Sequence, residues 1–174
     1  MKSLLSATAL LWAAAARGQL PSADLTSVFP MGGKLATSVD VTISGGNLDD
    51  VTALQFSHPG LSATPKMGPA GPNGKPPQPL ANQFTVSISA SVPVGVYEVR
   101  AVGKYGISNP RVFVVGNLNE VDGKQAGATA VAAKEVPLES TINAQATGER
   151  ADFFRFSAKK DQRVLIESWA HRLD

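Results

Sequence analysis

Short runs in which apolar and polar residues alternate fill the middle of the chain, and glycine or proline separates them. The run 38–43 precedes Gly45-Gly46, and the run 84–88 precedes Pro93-Val94-Gly95. Similar runs occupy residues 51–56, 96–102 and 111–115. A period of two places alternate side chains on opposite faces of a strand, whereas an amphipathic helix needs a period near 3.6. We therefore predict an all-β fold, a sandwich of about 100 residues.

The buried positions of this sandwich follow from the same alternation. Residues on the more apolar side of each run are expected to face the core, because only that side is apolar enough to be buried. The candidate core residues are Val41, Ile43, Phe56, Phe84, Val86, Ile88, Tyr97, Val99, Phe113 and Val115.

The first 18 residues have the layout of a secretory signal peptide. Lys2 gives a positive start, residues 4–16 are uncharged and largely apolar, and small residues precede Gln19. Cleavage after Gly18 is preferred, and cleavage after Ala16 is the alternative. The apolar run is too short to span a bilayer of roughly 30 Å, so no membrane insertion is expected after cleavage. The predicted location is secreted, periplasmic or at the cell surface.

Composition excludes several classes of function. Removal of residues 1–18 takes away two basic residues and no acidic ones, so the 16 Lys and Arg residues become 14, equal to the 14 Asp and Glu residues. A neutral mature chain without a basic patch is not expected to bind nucleic acid. The chain has no cysteine, so disulfides and thiolate metal sites do not contribute.

Two segments read as connections. Residues 65–79, PKMGPAGPNGKPPQP, are predicted to form a surface loop inside the first module, residues 19–118. A polyproline recognition segment is the alternative for this loop. Residues 119–133 are rich in alanine and glycine and are interpreted as a linker to a second module, residues 134–174.

The second module begins with a predicted strand at 136–142. The runs 151–157 and 163–169 then alternate and flank a turn near Asp161, so they are expected to form a hairpin. An isolated hairpin is marginally stable in water, and only five residues follow it. The chain is therefore expected to be a fragment of a longer exported protein.

Two groups of motifs resemble the IPT/TIG domain, an immunoglobulin-like fold of extracellular and cell-surface proteins. The first group is Phe29-Pro30, Gly32-Gly33 and Val39-x-Val41-x-Ile43-Ser44-Gly45-x-Asn47-Leu48. The second is Val92-Pro93-Val94-Gly95-x-Tyr97-x-Val99 with Gly106-Ile107-Ser108-Asn109-Pro110-x-Val112-Phe113-x-Val115. The resemblance covers roughly residues 25–118 and implies an immunoglobulin-like β-sandwich. In the final turn, Asn109 is expected to bond its own backbone.

The end of the chain resembles the start of the bacterial pre-peptidase C-terminal (PPC) domain. The matching residues are Thr141-Ile142-Asn143, then Asp152-Phe153-Phe154-Arg155-Phe156-Ser157-Ala158-Lys159, then Gln162-Arg163-Val164-Leu165-Ile166-Glu167. Asp161 replaces a turn glycine of that family, which aspartate can do because it tolerates positive φ. The resemblance implies an incomplete second β-sandwich, truncated at residue 174.

No residue is assigned to a catalytic, cofactor or metal site, and the chain is predicted not to be an enzyme. His58 is expected in a turn and His171 lies near the end of the sequence, so neither has the partners of a general base. Asp49-Asp50 is interpreted as a solvated turn rather than a calcium site. Trp169 is expected to pack in the core that the missing strands of the second module would close, and stacking on a sugar or collagen-like ligand is the alternative.

These observations predict a secreted or cell-surface, non-catalytic binding or spacer module. Its partner is expected to be an extracellular protein or a glycan. The alternative is that the chain is the N-terminal accessory region of a secreted peptidase or other hydrolase whose catalytic domain lies beyond this sequence.

Overall fold

The computed structural model describes residues 21–145, 148 and 151–169; the predicted signal peptide and His171 lie outside these ranges. In chain order the strands are β1 (Asp24–Phe29), β2 (Gly32–Lys34), β3 (Ser38–Gly46), β4 (Ala53–Phe56), β5 (Leu61–Met67), β6 (Pro79–Ile88), β7 (Gly95–Gly103), β8 (Gly106–Ile107), β9 (Arg111–Gly116), β10 (Asn119–Asp122), β11 (Lys134–Glu135), β12 (Ser140–Asn143) and β13 (Phe154–Arg155). Two short 3₁₀ turns, Pro72–Gly74 and Gly123–Gln125, are the helical elements of the described residues. The prediction of an all-β fold is confirmed.

The first nine strands form two sheets that pack face to face. The four-stranded sheet has the order β1-β3-β6-β5, and all of its pairs are antiparallel. The five-stranded sheet has the order β2-β9-β7-β4, with β8 paired to β7. In this second sheet β2 runs parallel to β9, and the other pairs are antiparallel.

The inner faces of both sheets supply one continuous apolar core. Eight of the ten predicted core residues are buried, and Phe56 and Tyr97 are partly buried against the same cluster. Phe56 meets Phe113 edge to face, with ring centroids 5.4 Å apart. Core residues that the sequence analysis did not select include Leu25, Val28, Leu48, Leu54, Leu61, Val92 and Ala101. Most of these lie in short strands or loops where a period of two cannot be recognised.

Asn109 connects the two sheets. Its Oδ1 accepts a hydrogen bond from Leu25 N at 2.7 Å, and its Nδ2 donates to Leu25 O at 3.0 Å. Arg111 Nε donates to the same carbonyl at 2.7 Å. The expectation that Asn109 bonds its own turn is therefore wrong: the turn is close to β1, an edge strand whose outer side has no neighbouring strand.

The proline- and glycine-rich segment lies at the tip of the β5–β6 hairpin. Met67 pairs with Pro79, and Gly68 N donates to Gln78 O at 2.8 Å, so the loop itself occupies residues 68–78. Pro65, which the sequence analysis placed in the loop, belongs to the edge strand β5. An edge strand accommodates proline because its outer side has no neighbour that needs an N–H donor.

Residues after the sandwich form two small parallel pairs. Strand β10 pairs with β12, and β11 pairs with β13. The interval 119–133, interpreted as a linker, thus contains a strand and a 3₁₀ turn. Contacts with the sandwich include Lys34 Nζ, which donates to Asn119 Oδ1 at 2.6 Å, and the Lys124 ammonium, 5.8 Å from the centre of the Phe29 ring.

The predicted hairpin at the end of the chain is not formed. Its turn is present, because Gln162 N donates to Lys159 O at 3.1 Å and Asp161 has φ 65°, as expected for a residue that replaces a turn glycine. However, β13 pairs with β11, and residues 162–169 form no strand. The predicted strand at 136–142 is also shorter and later, at β12. Alternation indicates which side chains share a face, but a strand needs a partner for its backbone.

Candidate functional site

The outer faces of the two sheets have very different chemistry. The outer face of the four-stranded sheet, here called the hydroxyl face, carries Ser27 and Phe29 of β1, Ser38, Asp40 and Thr42 of β3, Gln83, Thr85 and Ser87 of β6, and Ser62, Thr64 and Lys66 of β5. The outer face of the five-stranded sheet, here called the valine face, carries Ala53 and Gln55 of β4, Val96, Glu98, Arg100 and Val102 of β7, Ile107 of β8, and Val112 and Val114 of β9.

Hydroxyl and charged side chains dominate the hydroxyl face, so this face is suited to contact with water. Ser87 pairs with Ser38 on one side and Ser62 on the other, and Thr85 lies between Asp40 and Thr64 in the next row. Asp40 receives a salt bridge from Lys66 at 2.7 Å and a hydrogen bond from Thr85 Oγ1 at 2.7 Å. These bonds, with Lys66 first and Thr85 second, lower the pKa of the Asp40 carboxyl from its usual value. An antiparallel sheet with one solvated face normally has this pattern.

The valine face departs from that pattern. Val96 pairs directly with Val114, and Val102 lies between Ala53 and Ile107. Val96 is 56% exposed and Ile107 is 58% exposed. Scattered apolar side chains are common on protein surfaces, but adjacent β-branched residues on one sheet form a patch, and such patches indicate a contact surface.

A pair of opposite charges divides this apolar surface. Arg100 Nη2 donates to Glu98 Oε2 at 3.3 Å, and Arg100 Nη1 donates to Ser108 O at 3.2 Å. The Glu98 backbone is fixed in turn by Ser57 Oγ, which accepts from Glu98 N at 3.0 Å. A guanidinium has five N–H donors, so these two bonds orient the group and leave donors for a partner.

The charged pair lines a depression of the described surface. It has a volume of about 440 Å³. Its lining residues are Gln55, Phe56, Ser57, Glu98, Arg100, Ile107 and Ser108. The depression is shallow and open, so it offers a contact area rather than an enclosed pocket that could exclude water from a reacting group.

The sequence-predicted residues occupy structural positions. His58 lies in the turn between β4 and β5, as predicted, where its Nδ1 accepts from Gly60 N at 3.0 Å. Its ring meets that of Tyr97 edge to face at 5.4 Å. Asp49-Asp50 precedes β4, and Asp50 has φ 57°. Across residues 21–145, 148 and 151–169, no three His, Asp or Glu side chains come together as metal ligands would.

Trp169 does not belong to the core. It is 36% exposed, and Leu165 and Ile166 are 82% and 75% exposed. Residues 162–169 are not paired in a strand. The prediction that Trp169 packs in a core closed by further strands stays a prediction.

Part of the valine face could be identified from the sequence. Alternation in residues 96–102 places Val96, Glu98, Arg100 and Val102 on one side, opposite the buried Val99. What the sequence did not indicate was that the neighbouring strands present valine and isoleucine on that same side.

Comparisons with known proteins give little further information. No protein-family model and no curated protein matches the chain. A solved structure, the Bacteroides ovatus mixed-linkage glucan utilization locus (MLGUL) SGBP-B in complex with a mixed-linkage heptasaccharide, is similar, with 18% identity and a TM-score of 0.38. The match covers 68% of this chain and 26% of that one, so the chain spans about a quarter of that protein's length. This similarity is too low to assign a function.

No helix of the described residues is long and apolar enough to cross a membrane. The resemblances to IPT/TIG and PPC domains, and the division into modules, stay predictions.

Proposed function

We propose that this chain is an exported, non-catalytic binding module that contacts another protein through its valine face. The observation that carries the proposal is the difference between the two outer faces: one sheet presents hydroxyl and charged side chains, and the other presents Val96, Val114 and Ile107 around a fixed Arg100–Glu98 pair. Both faces belong to the same small sandwich, so the hydroxyl face shows which side chains this protein places on a face that contacts water. The valine face can be compared with it directly.

The chemistry of the valine face favours a protein over a glycan. Its apolar side chains are aliphatic and β-branched, and they pack best against another aliphatic surface. An arginine between apolar residues is also typical of protein interfaces, which are enriched in arginine. Sugar rings are held mainly by stacking on aromatic side chains, and the most exposed apolar residues of the valine face, Val96 and Ile107, are aliphatic.

Export is supported by the sequence of residues 1–18. Mass spectrometry of the protein recovered from outside the cytoplasm should give Gln19 or Arg17 as the first residue. Recovery of exported protein that begins at Met1 would contradict this part of the proposal.

The contact surface can be tested by site-specific photocrosslinking in the producing cells. A benzophenone amino acid replaces Val96 in one variant and Ser87, on the hydroxyl face, in the matched control. We expect a discrete adduct with an identifiable protein from position 96 and none from position 87. The adduct should disappear when Arg100→Glu is added, because the oriented guanidinium is lost.

Absence of an adduct at position 96, or equal adducts at both positions, would refute the proposed function. An adduct that persists unchanged with Arg100→Glu would show that the charged pair has no part in recognition.

A further inference from the structure

We infer that the partner at the valine face is a second copy of this chain, placed by a two-fold axis so that Glu98 of each copy meets Arg100 of the other. This inference rests on the proposed function and identifies its partner. It follows from the arrangement of charge on the face, the way in which sheets pack, and the net charge of the chain.

The charge pattern of the valine face is complementary to itself. Glu98 and Arg100 are two residues apart on β7, so both side chains point out of the same face. Rotation by 180° about an axis that lies between the two copies, parallel to the face and perpendicular to β7 midway between the two residues, places each carboxylate over the guanidinium of the other copy. A two-fold interface requires this exchange, because residue i contacts j while j contacts i.

Both groups can accept a second partner. The side chain of Arg100 is 38% exposed and that of Glu98 is 60% exposed, so neither is enclosed by its own chain. Arg100 uses two of its five donors on Ser108 O and Glu98 Oε2. In the dimer the four charges would alternate in sign, and each would keep an opposite charge as its neighbour.

The surrounding residues fit the stacking of two sheets. Facing sheets pack about 10 Å apart when apolar side chains from both interdigitate, and Val96, Val114 and Ile107 supply such side chains. The mature chain of residues 19–174 has 14 basic and 14 acidic residues, so two copies do not repel each other at long range.

The size of the face predicts a weak dimer. Four neighbouring strands at about 4.8 Å spacing give a width of roughly 19 Å, and the nine residues of β7 give a length of roughly 30 Å. Because β2, β4 and β9 are shorter than β7, the contact is at most on the order of 570 Å² for each copy, below the ~800 Å² of a standard interface. We expect a dissociation constant in the micromolar range.

Sedimentation equilibrium of the purified mature chain tests the inference, with variants on the valine face and one in the segment 162–169. We expect a monomer–dimer equilibrium in which nearly all of the protein is dimeric at about 100 µM, a concentration well above the expected dissociation constant. Val96→Asp should weaken the dimer at least about tenfold, equivalent to 1.4 kcal/mol. Ile166→Asp, which removes an exposed apolar side chain outside the face, should leave it unchanged.

A charge exchange identifies the two-fold arrangement. Glu98→Arg and Arg100→Glu should each be monomeric, because both create like-charge contacts across the axis. An equimolar mixture of the two variants should dimerise again, because one copy then presents two positive and the other two negative charges. Circular dichroism of each variant verifies the fold.

Three results would overturn the inference: a wild-type chain that stays monomeric at about 100 µM, a dimer abolished by Ile166→Asp instead of Val96→Asp, or a mixture of charge variants that does not associate. A monomeric chain that still crosslinks from position 96 to a different protein refutes the second copy and retains the proposed function. No crosslink from position 96 refutes the proposed function itself.

Discussion

Replacement of Asn109 by alanine should destabilise the whole sandwich, although Asn109 lies in a turn. Its side-chain amide makes two hydrogen bonds with the backbone of Leu25, 84 residues earlier in the chain. Leu25 is fully buried at the edge of the four-stranded sheet. Asn109→Ala leaves the Leu25 N–H without its acceptor, while the Leu25 carbonyl keeps its bond from Arg111 Nε.

The size of the effect follows from these two groups. A donor that loses its partner in a buried place costs about 1–3 kcal/mol, and the second bond has a substitute in Arg111. Asn109 itself is exposed, so water can reach part of the vacated space. We expect a loss of about 2 kcal/mol in the free energy of unfolding, or a fall in Tm of roughly 8–16 °C for a domain of this size.

Urea denaturation followed by circular dichroism measures this loss. The matched control is Asn119→Ala, which removes an exposed bond from Lys34 Nζ and should change stability by less than about 0.5 kcal/mol. The reasoning is refuted if Asn109→Ala lies within about 0.5 kcal/mol of wild type, because the two sheets would then not depend on this connection.

Three further outcomes are expected. Gly45→Ala should cost about 1–3 kcal/mol in urea denaturation, because its Cβ would lie 1.9 Å from the Asp24 carbonyl oxygen, whereas Gly116→Ala, with open space around it, should be neutral. Burial raises the pKa of Glu120 despite a hydrogen bond from the Asn143 amide. The ionised Glu120 therefore costs stability, and the free energy of unfolding of the wild type falls as the pH rises from the ordinary pKa of glutamate through the raised pKa of Glu120. Glu120→Gln should be more stable than the wild type at neutral pH, and this difference should vanish below the ordinary pKa of glutamate. An equal difference in stability at neutral pH and at that low pH would contradict this. Trypsin should cut first within residues 159–163, where exposed basic residues lie outside any strand, and leave the sandwich intact. Cleavage inside the sandwich at the same rate would show that residues 159–163 are not less stable than the sandwich.

The sequence determined the fold class and most of the core. Alternation at residues 38–43, 84–88 and 96–102 identified β3, β6 and β7, because a strand with one buried face must place its apolar residues two apart. It also indicated which side of β7 faces outward. The resemblance to the PPC domain placed Asp161 at the position of a turn glycine, and Asp161 has a positive φ.

Tertiary structure decided everything that depends on which segments become neighbours. The end of the chain alternates as clearly as β6 does, yet residues 162–169 form no strand, because backbone pairing requires a partner that alternation cannot name. Asn109 meets Leu25 for the same reason: the contact exists only once two sheets are stacked. The valine face is also a product of assembly, since Val96, Ile107 and Val114 come from three strands. They share one face only because hydrogen bonding of β7, β8 and β9 places Val114 beside Val96 and Ile107 beside Val102, on either side of the Glu98–Arg100 pair.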